Sequence, residues 1–148
     1  MTFKIRDVAA EDHAAWSVLW AGYLAFYESS LPKNVSDLTF GRFLDPSEPM
    51  FCLVAEDEET HELIGFANCV LHRGTWAIQN FCYLEDLFTS AAARKRGVGR
   101  ALIEAVYKRA DKLGCSRVYW LTHETNYAGR SLYDKVARNL GFIQYRRP

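Results

Sequence analysis

Three features of this 148-residue chain predict a mixed α/β fold. Short apolar runs of strand character alternate with segments whose apolar residues recur every three or four positions. A strand-like stretch at 80–89 leads into a glycine-bearing turn that opens a helix at 98. Apolar residues make up 49% of the chain and aromatics 14%, enough for one core at the usual size of one domain. No linker, low-complexity segment or internal repeat divides it.

Each element has its own signal. Residues 3–8 alternate in polarity like a strand, and Asp12 can cap a helix whose stripe runs Trp16, Leu19, Trp20, Tyr23, Leu24 and Tyr27. A second, short helix is predicted to start at Ser36. Pro46 and Pro49 punctuate a loop, after which 50–55 and 63–72 form an antiparallel hairpin about the polar turn 56–62. Residues 80–89 give the next strand and 98–113 a helix stopped by Gly114. A strand at 117–123 and a helix at 127–140 ending on Gly141 come next, and 142–147 form a last strand.

Charge is balanced, with 18 Lys plus Arg against 18 Asp plus Glu, so neither nucleic acid nor an anionic membrane surface is a natural partner. No stretch reaches the roughly 18 apolar residues of a membrane span, and no signal-peptide run opens the sequence, so the expected location is cytoplasmic. Cys52, Cys69, Cys82 and Cys115 lie in apolar contexts without Cys-x-x-Cys spacing or a matching His cluster. They read as reduced, buried thiols, and no metal is expected.

The most informative stretch joins Tyr83–Thr89 to Ala93–Ile103. Gly97 and Gly99 allow positive φ and close backbone approach, and Leu102, Val106, Ala110 and Leu113 mark a buried helix face just after them. The free N–H groups of that helix's first turn would point at whatever sits over the glycines. Arg94, Lys95, Arg96 and Arg100 add four cations in seven residues, which suits a polyanion such as pyrophosphate better than a solvated basic turn. A dinucleotide fingerprint lacks its third glycine here, and no Gly-Lys-Ser/Thr completes a nucleotide loop.

These residues resemble the signature Arg/Gln-x-x-Gly-x-Gly/Ala of the GNAT superfamily of acyl-CoA-dependent N-acetyltransferases, met here by Arg94, Gly97 and Gly99. Leu84–Phe88 is similar to that family's central strand, and Asn126, Leu132-Tyr133 and Gly141-Phe142 to its later segment. Trp120–Asn126 with Gly141–Tyr145 most resembles the HPA-type branch, associated with histone, polyamine and amino-acid acetylation. The resemblance implies one domain over 1–148 with the GNAT fold, a central mixed, mostly antiparallel β-sheet flanked by about four helices. It also implies acetyl-CoA as co-substrate and a homodimer. The implied acceptor is a primary amine: a polyamine, an amino acid, or a protein lysine or N-terminal amine. Backbone groups of Leu87, Phe88 and Thr89 would meet the pantetheine arm. Arg94, Lys95, Arg96, Gly97, Val98, Gly99 and Arg100 would hold the pyrophosphate, with Asn126, Tyr133 and Lys135 completing the cofactor site. Lys135 reads equally as a solvated surface residue. A silent acyl-CoA-binding module is the alternative function.

Transfer from a thioester needs a neutral amine, whereas a lysine-like amine titrates near ~10.4. A base is therefore required. Glu85 and Asp86 are the candidates, since adjacent strand residues point to opposite faces and one can face substrate while the other is structural. Resemblance to polyamine acetyltransferases favours Glu85; ordinary strand-end carboxylates paired to nearby arginines are the competing reading. Tyr133 holds the family's acid position, where it would donate to the departing thiolate. A bulge near Glu85 or Asp86 would splay this strand from 117–123 and open a cleft.

Two departures stand out. Gly141 follows Tyr133 by eight residues, which suggests about one extra helical turn. Gly129 occupies a position usually small and often alanine, which loosens the helix by up to about 1 kcal/mol. His72 and His123 read as structural or substrate-orienting. The stripe Trp16, Trp20, Tyr23 and Tyr27 reads as core before an amine pocket, and Glu28, Asp37 and Glu48 suit either a polycation or an exposed loop.

Overall fold

The computed structural model describes residues 2–148, which run β1 (Phe3–Asp7), α1 (His13–Phe26), α2 (Lys33–Leu44), β2 (Met50–Asp57), β3 (Leu63–His72), β4 (Phe81–Thr89), α3 (Val98–Lys112), β5 (Arg117–Tyr119) and α4 (Tyr127–Val136). Short 3-10 turns precede α1 and α3. The sheet order is β1-β2-β3-β4-β5, antiparallel through β4, with β5 parallel to β4. This is the mixed, mostly antiparallel sheet with four helices that the sequence predicts.

Both faces of the sheet are covered, which is why β2 and β3 are apolar at nearly every position rather than at alternate ones. Phe51, Leu53 and Ala55 of β2 join Ala67, Cys69, Cys82 and Leu84 under Val98, Leu102, Ile103, Val106 and Ala110 of α3. The intervening Cys52 and Val54, with Phe66, pack on the other face against Trp16, Leu19 and Trp20 of α1 and Phe40 of α2. Trp16 stacks on Trp20 at 5.2 Å between ring centroids, so the first half of the aromatic stripe is core. α3 ends as predicted, with Gly114 at φ 75° and the N–H groups of Gly114 and Cys115 bonded to the carbonyls of Asp111 and Ala110. Leu113, past the last helical turn, is exposed rather than part of the buried face.

A charge cluster ties β1 to β2 and to the turn that opens α1. The Arg6 guanidinium bonds both carboxylate oxygens of Asp12, at 2.7 and 3.0 Å, and Glu56 at 2.9 Å, and Asp12 also accepts the Ala9 amide. Asp12 therefore starts the helix region through the 3-10 turn and Arg6, not as a side-chain cap on α1.

Four boundaries differ from the sequence reading. α2 begins at Lys33, three residues before Ser36, because the Pro32 carbonyl takes the first helical amides; the Ser36 hydroxyl instead accepts Trp20 Nε1 at 2.9 Å. The predicted strand 117–123 stops at Tyr119, since β4 turns away from it beyond Tyr83. α4 stops at Val136 rather than 140: Ala137 is extended, so the longer segment before Gly141 is not an extra helical turn. The last strand, 142–147, is absent, because a three-residue β5 offers little edge to pair with; Phe142, Ile143 and Tyr145 are exposed. Among the described residues no helix is long and apolar enough to cross a membrane.

Asp12 is held below the usual carboxylate range, chiefly by Arg6 and against the opposing effect of burial. A depressed folded-state value means stabilisation that is complete above the unfolded value and lost as pH falls through the folded one. Asp12→Asn is expected to lower stability near neutral pH by about 1–3 kcal/mol. The gap from the parent should close as pH falls below about 4. Thermal unfolding of both proteins across that range checks this; a gap independent of pH would remove the ion pair as its source.

Candidate active site

Register places the site. Asn68 faces Asp86 and Cys69 faces Leu84, so Glu85 has no partner on β3 and forms a bulge in β4. β5 pairs only with Phe81, Cys82 and Tyr83. From the bulge onward β4 has no neighbour on its β5 side, and the backbone groups on that edge of 85–89 face a gap between parting strands. This is the splay anticipated from the sequence.

The bulge separates the fates of the two carboxylates. Asp86 turns to the α1 side of the sheet, where Asn68 Nδ2 of β3 donates to it at 3.1 Å and the Tyr23 hydroxyl of α1 faces it. Burial pushes its carboxyl up, and these two donors oppose the rise. Glu85 is exposed at the gap, and its carboxyl too is raised, first by partial burial and then by the charge of Asp86. Neither is bonded to an arginine among the described residues, so the reading of both as strand-end salt bridges is not what the fold builds.

A file of phenols crosses the gap. The ring of Tyr23 meets Tyr27 at 5.1 Å, and Tyr27 faces Thr122 and lies 5.5 Å from the His123 ring. Burial, with Asp86 adding, raises Tyr23; burial, with Tyr27 adding, pushes Tyr133 up to about 12. Tyr133 thus stays protonated far above neutral pH and is available as a hydrogen-bond donor.

α4 carries Tyr133 without one fully buried side chain. Its placement comes from Leu132, Tyr133 and Val136, which pack half-buried on the core beside α3, and from its ends. Asn126 Oδ1 accepts the Gly129 amide at 3.2 Å while its Nδ2 donates to Thr122 at 2.9 Å, and Tyr107 Oη donates to the Val136 carbonyl at 2.8 Å. A Cβ at position 129 would stand 2.5 Å from Asn126 Nδ2, so the glycine gives room to the cap. The Trp120 ring meets Tyr133 edge-on at 5.5 Å. Lys135 is exposed on the outer side of the chain's last helix.

The glycine turn is a nest of donors. Lys95 and Gly97 are left-handed, with φ of 66° and 80°, and Gly97 caps α3 without a side-chain bond. Among the described residues the main-chain N–H groups from Lys95 through Arg100 have no acceptor. Such consecutive free amides at a helix N-terminus suit an anion. A Cβ at Gly99 would press on Leu132 of α4 at 3.3 Å, so this glycine lets the two helices approach. The cations divide. Arg94 and Lys95 are exposed and make no ion pair among the described residues, whereas Arg96 reaches Asp57 at 3.5 Å and Arg100 pairs with Glu104 at 3.0 Å.

His72 Nε2 bonds the Tyr119 hydroxyl at 2.6 Å. Asn68 and Thr122 escaped the sequence reading. The lone signal for Asn68 was one amide within the otherwise apolar run 64–71; nothing marked Thr122.

The chain is similar to known proteins throughout. Residues 13–142 match the acetyltransferase (GNAT) family. The D-amino-acid N-acetyltransferase HPA3 of Saccharomyces cerevisiae is 39% identical over 143 residues, covering 97% of this chain and 89% of that protein. The uncharacterized N-acetyltransferase YhfO of Bacillus subtilis is 27% identical over 144 residues, covering 96% and 95%. Among solved structures, the aminoglycoside acetyltransferase AAC(6')-Iy, in complex with a CoA-containing bisubstrate analog, superposes with a TM-score of 0.85 at 18% identity, over 100% of this chain and 99% of that one.

Because Asp86 raises Glu85, Asp86→Asn is expected to lower the Glu85 titration, followed by NMR of the side-chain carboxyl carbon. An unmoved Glu85 would mean the two carboxylates do not sense each other.

Proposed function

This chain belongs to the acetyltransferase (GNAT) family, and from that premise we propose that it transfers acetyl from acetyl-CoA to a primary amine by direct attack in a ternary complex. One observation carries the reading: the Glu85 bulge opens β4 from β5 directly before the turn whose amides are unpartnered. The pyrophosphate lies on the N–H groups of residues 95–100, with Arg94 and Lys95 as free cations beside it. Arg96 and Arg100 act from their carboxylate partners, and Lys135 meets the ribose phosphate. The pantetheine arm takes the place of the missing strand along Leu87, Phe88 and Thr89, whose main-chain groups orient the thioester.

Glu85 removes the proton from the incoming ammonium, directly or through water, and Asp86, fixed by Asn68 and Tyr23, keeps Glu85 basic through its charge. The neutral amine attacks the thioester carbonyl and forms the C–N bond, the nitrogen sheds its second proton to water, and the tetrahedral intermediate collapses by breaking the C–S bond. Tyr133, placed there by the Asn126 cap, acts as the acid: it gives its hydroxyl proton to the departing sulfur and is reprotonated from solvent. The acceptor is a polyamine, an amino acid, or a protein lysine or N-terminal amine. The yeast relative's D-amino-acid specificity puts amino acids of both hands on the first test panel.

Four free thiols, three of them buried, fit a reducing cytoplasm. The exposed Leu140, Phe142, Ile143 and Tyr145 support a homodimer, which sedimentation of the purified protein tests.

Release of CoA thiol from acetyl-CoA across polyamines, D- and L-amino acids, lysine peptides and aminoglycosides tests the activity. Acetyl-CoA binding without turnover on the whole panel would favour the silent module. Tyr133→Phe is expected to lower kcat about 100-fold with little change in acetyl-CoA affinity; unchanged turnover removes Tyr133 from the mechanism. The rate should climb with pH as Glu85 and the amine lose protons, and Tyr133 at about 12 imposes no alkaline limit near neutrality.

A further inference from the structure

Asp57, the last residue of β2, is buried although it is a carboxylate. Its Oδ1 accepts the amides of Glu59 and Thr60, at 2.8 and 3.2 Å, and so builds the turn from β2 to β3. An asparagine makes such a turn equally well without placing a charge in the interior. The turn therefore does not account for the carboxylate. Its other oxygen, Oδ2, supplies a reason, because it faces Arg96 Nη2 of the glycine turn at 3.5 Å.

That contact ties the glycine turn to the sheet. Ala93 and Val98 are buried at either end of residues 94–97, while Arg94 and Lys95 are exposed. Among the described residues, Arg96 has the one side chain in 94–97 that makes a hydrogen bond or ion pair. The conformation it holds is unfavourable by itself. Lys95, at φ 66°, places a side chain in the left-handed region, and the amides from 95 to 100 have no acceptor. Asp57 is a firm anchor for it, since its own amide bonds the Glu62 carbonyl at 2.9 Å and its carbonyl accepts the His61 amide at 2.8 Å.

We propose that Asp57 is a positioning residue for the cofactor: through Arg96 it holds residues 94–97 in the form that receives the pyrophosphate before the cofactor arrives. This rests on the reading of residues 95–100 as the pyrophosphate site. The carboxylate acts on an incoming pyrophosphate in two opposite ways, repelling its charge and fixing the donors that bind it. The repulsion is weakened because the Arg96 guanidinium faces the carboxylate, whereas a turn without its tether has to be ordered at the moment of binding, so the fixing effect prevails.

The test compares acetyl-CoA with acetyl-pantetheine, which carries the same thioester and lacks the pyrophosphate. Asp57→Asn keeps an acceptor for the turn and removes the charge opposite Arg96. It is expected to raise KM for acetyl-CoA about tenfold and to leave KM for acetyl-pantetheine within about twofold. A general loss of stability would move both. Arg96→Gln is expected to raise KM for acetyl-CoA as well, and the double variant to be no worse than Arg96→Gln alone, because one contact is lost in all three. Unchanged or tighter use of acetyl-CoA by Asp57→Asn, an equal loss with both donors, or additive losses in the double variant overturns the proposal. If neither donor is turned over with any amine, the acetyltransfer reading fails on its own. Calorimetric titration of CoA into wild type and Asp57→Asn then still decides the role of Asp57: weaker binding to the variant supports it, and equal affinity or no binding to either overturns it.

Discussion

Glu85 has no partner on β3, and this extra residue in β4 sets where the sheet ceases to be a sheet. Before it, β4 has a neighbour on each side. After it, one side is open, and β5 has nothing to pair with beyond Tyr119. The same insertion turns Asp86 inward onto Asn68 and leaves Glu85 at the opening, so two adjacent carboxylates acquire separate environments. Had β4 continued in register, the gap would be closed by ladder hydrogen bonds and the edge of 87–89 would have no free groups.

The rigid part of the molecule exists to hold that defect in place. β3, on the closed side of β4, is buried on both faces, with α3 beneath and the Trp16–Trp20 stack above. A bulge in an exposed two-stranded ribbon could slip by one residue. Here a slip would move Phe66 and Asn68 together to the opposite face, taking the ring from the α1 core and the buried amide from Asp86, which fixes the register.

Much of this was legible in the residues. Apolar runs gave β2 and β3, and Gly97, Gly99 and the stripe Leu102, Val106 and Ala110 gave α3 and its donor-rich start, because those patterns report local backbone needs and one-sided burial. The pair Glu85-Asp86 stood out by chemistry. What stayed hidden was non-local. The bulge was conceivable from β4 but visible only once β3 supplied a register. The shortening of β5 follows from that bulge, which is distant in sequence yet adjacent in space. Asn68 and Tyr23 matter because they converge on Asp86 from another strand and another helix, and no spacing rule links them. The predicted last strand failed for a related reason: 142–147 has strand-like residues, but a strand needs an edge, and β5 ends too soon to offer one.

α4 shows a further consequence. It has no fully buried side chain: Leu132, Tyr133 and Val136 pack half-buried against the core, an asparagine cap and a tyrosine hydroxyl hold its ends, and it carries the phenol of the site. An element packed on one half-buried face is of the kind that can open without global unfolding. Any molecule with α4 undocked lacks Tyr133 at the gap, and apparent affinity for a ligand that needs the docked form falls by the docked fraction. A ligand spanning the amides of α3 and the face of α4 would draw that equilibrium to one side, so that occupancy of the cleft and order of the chain's last helix become a single thermodynamic variable.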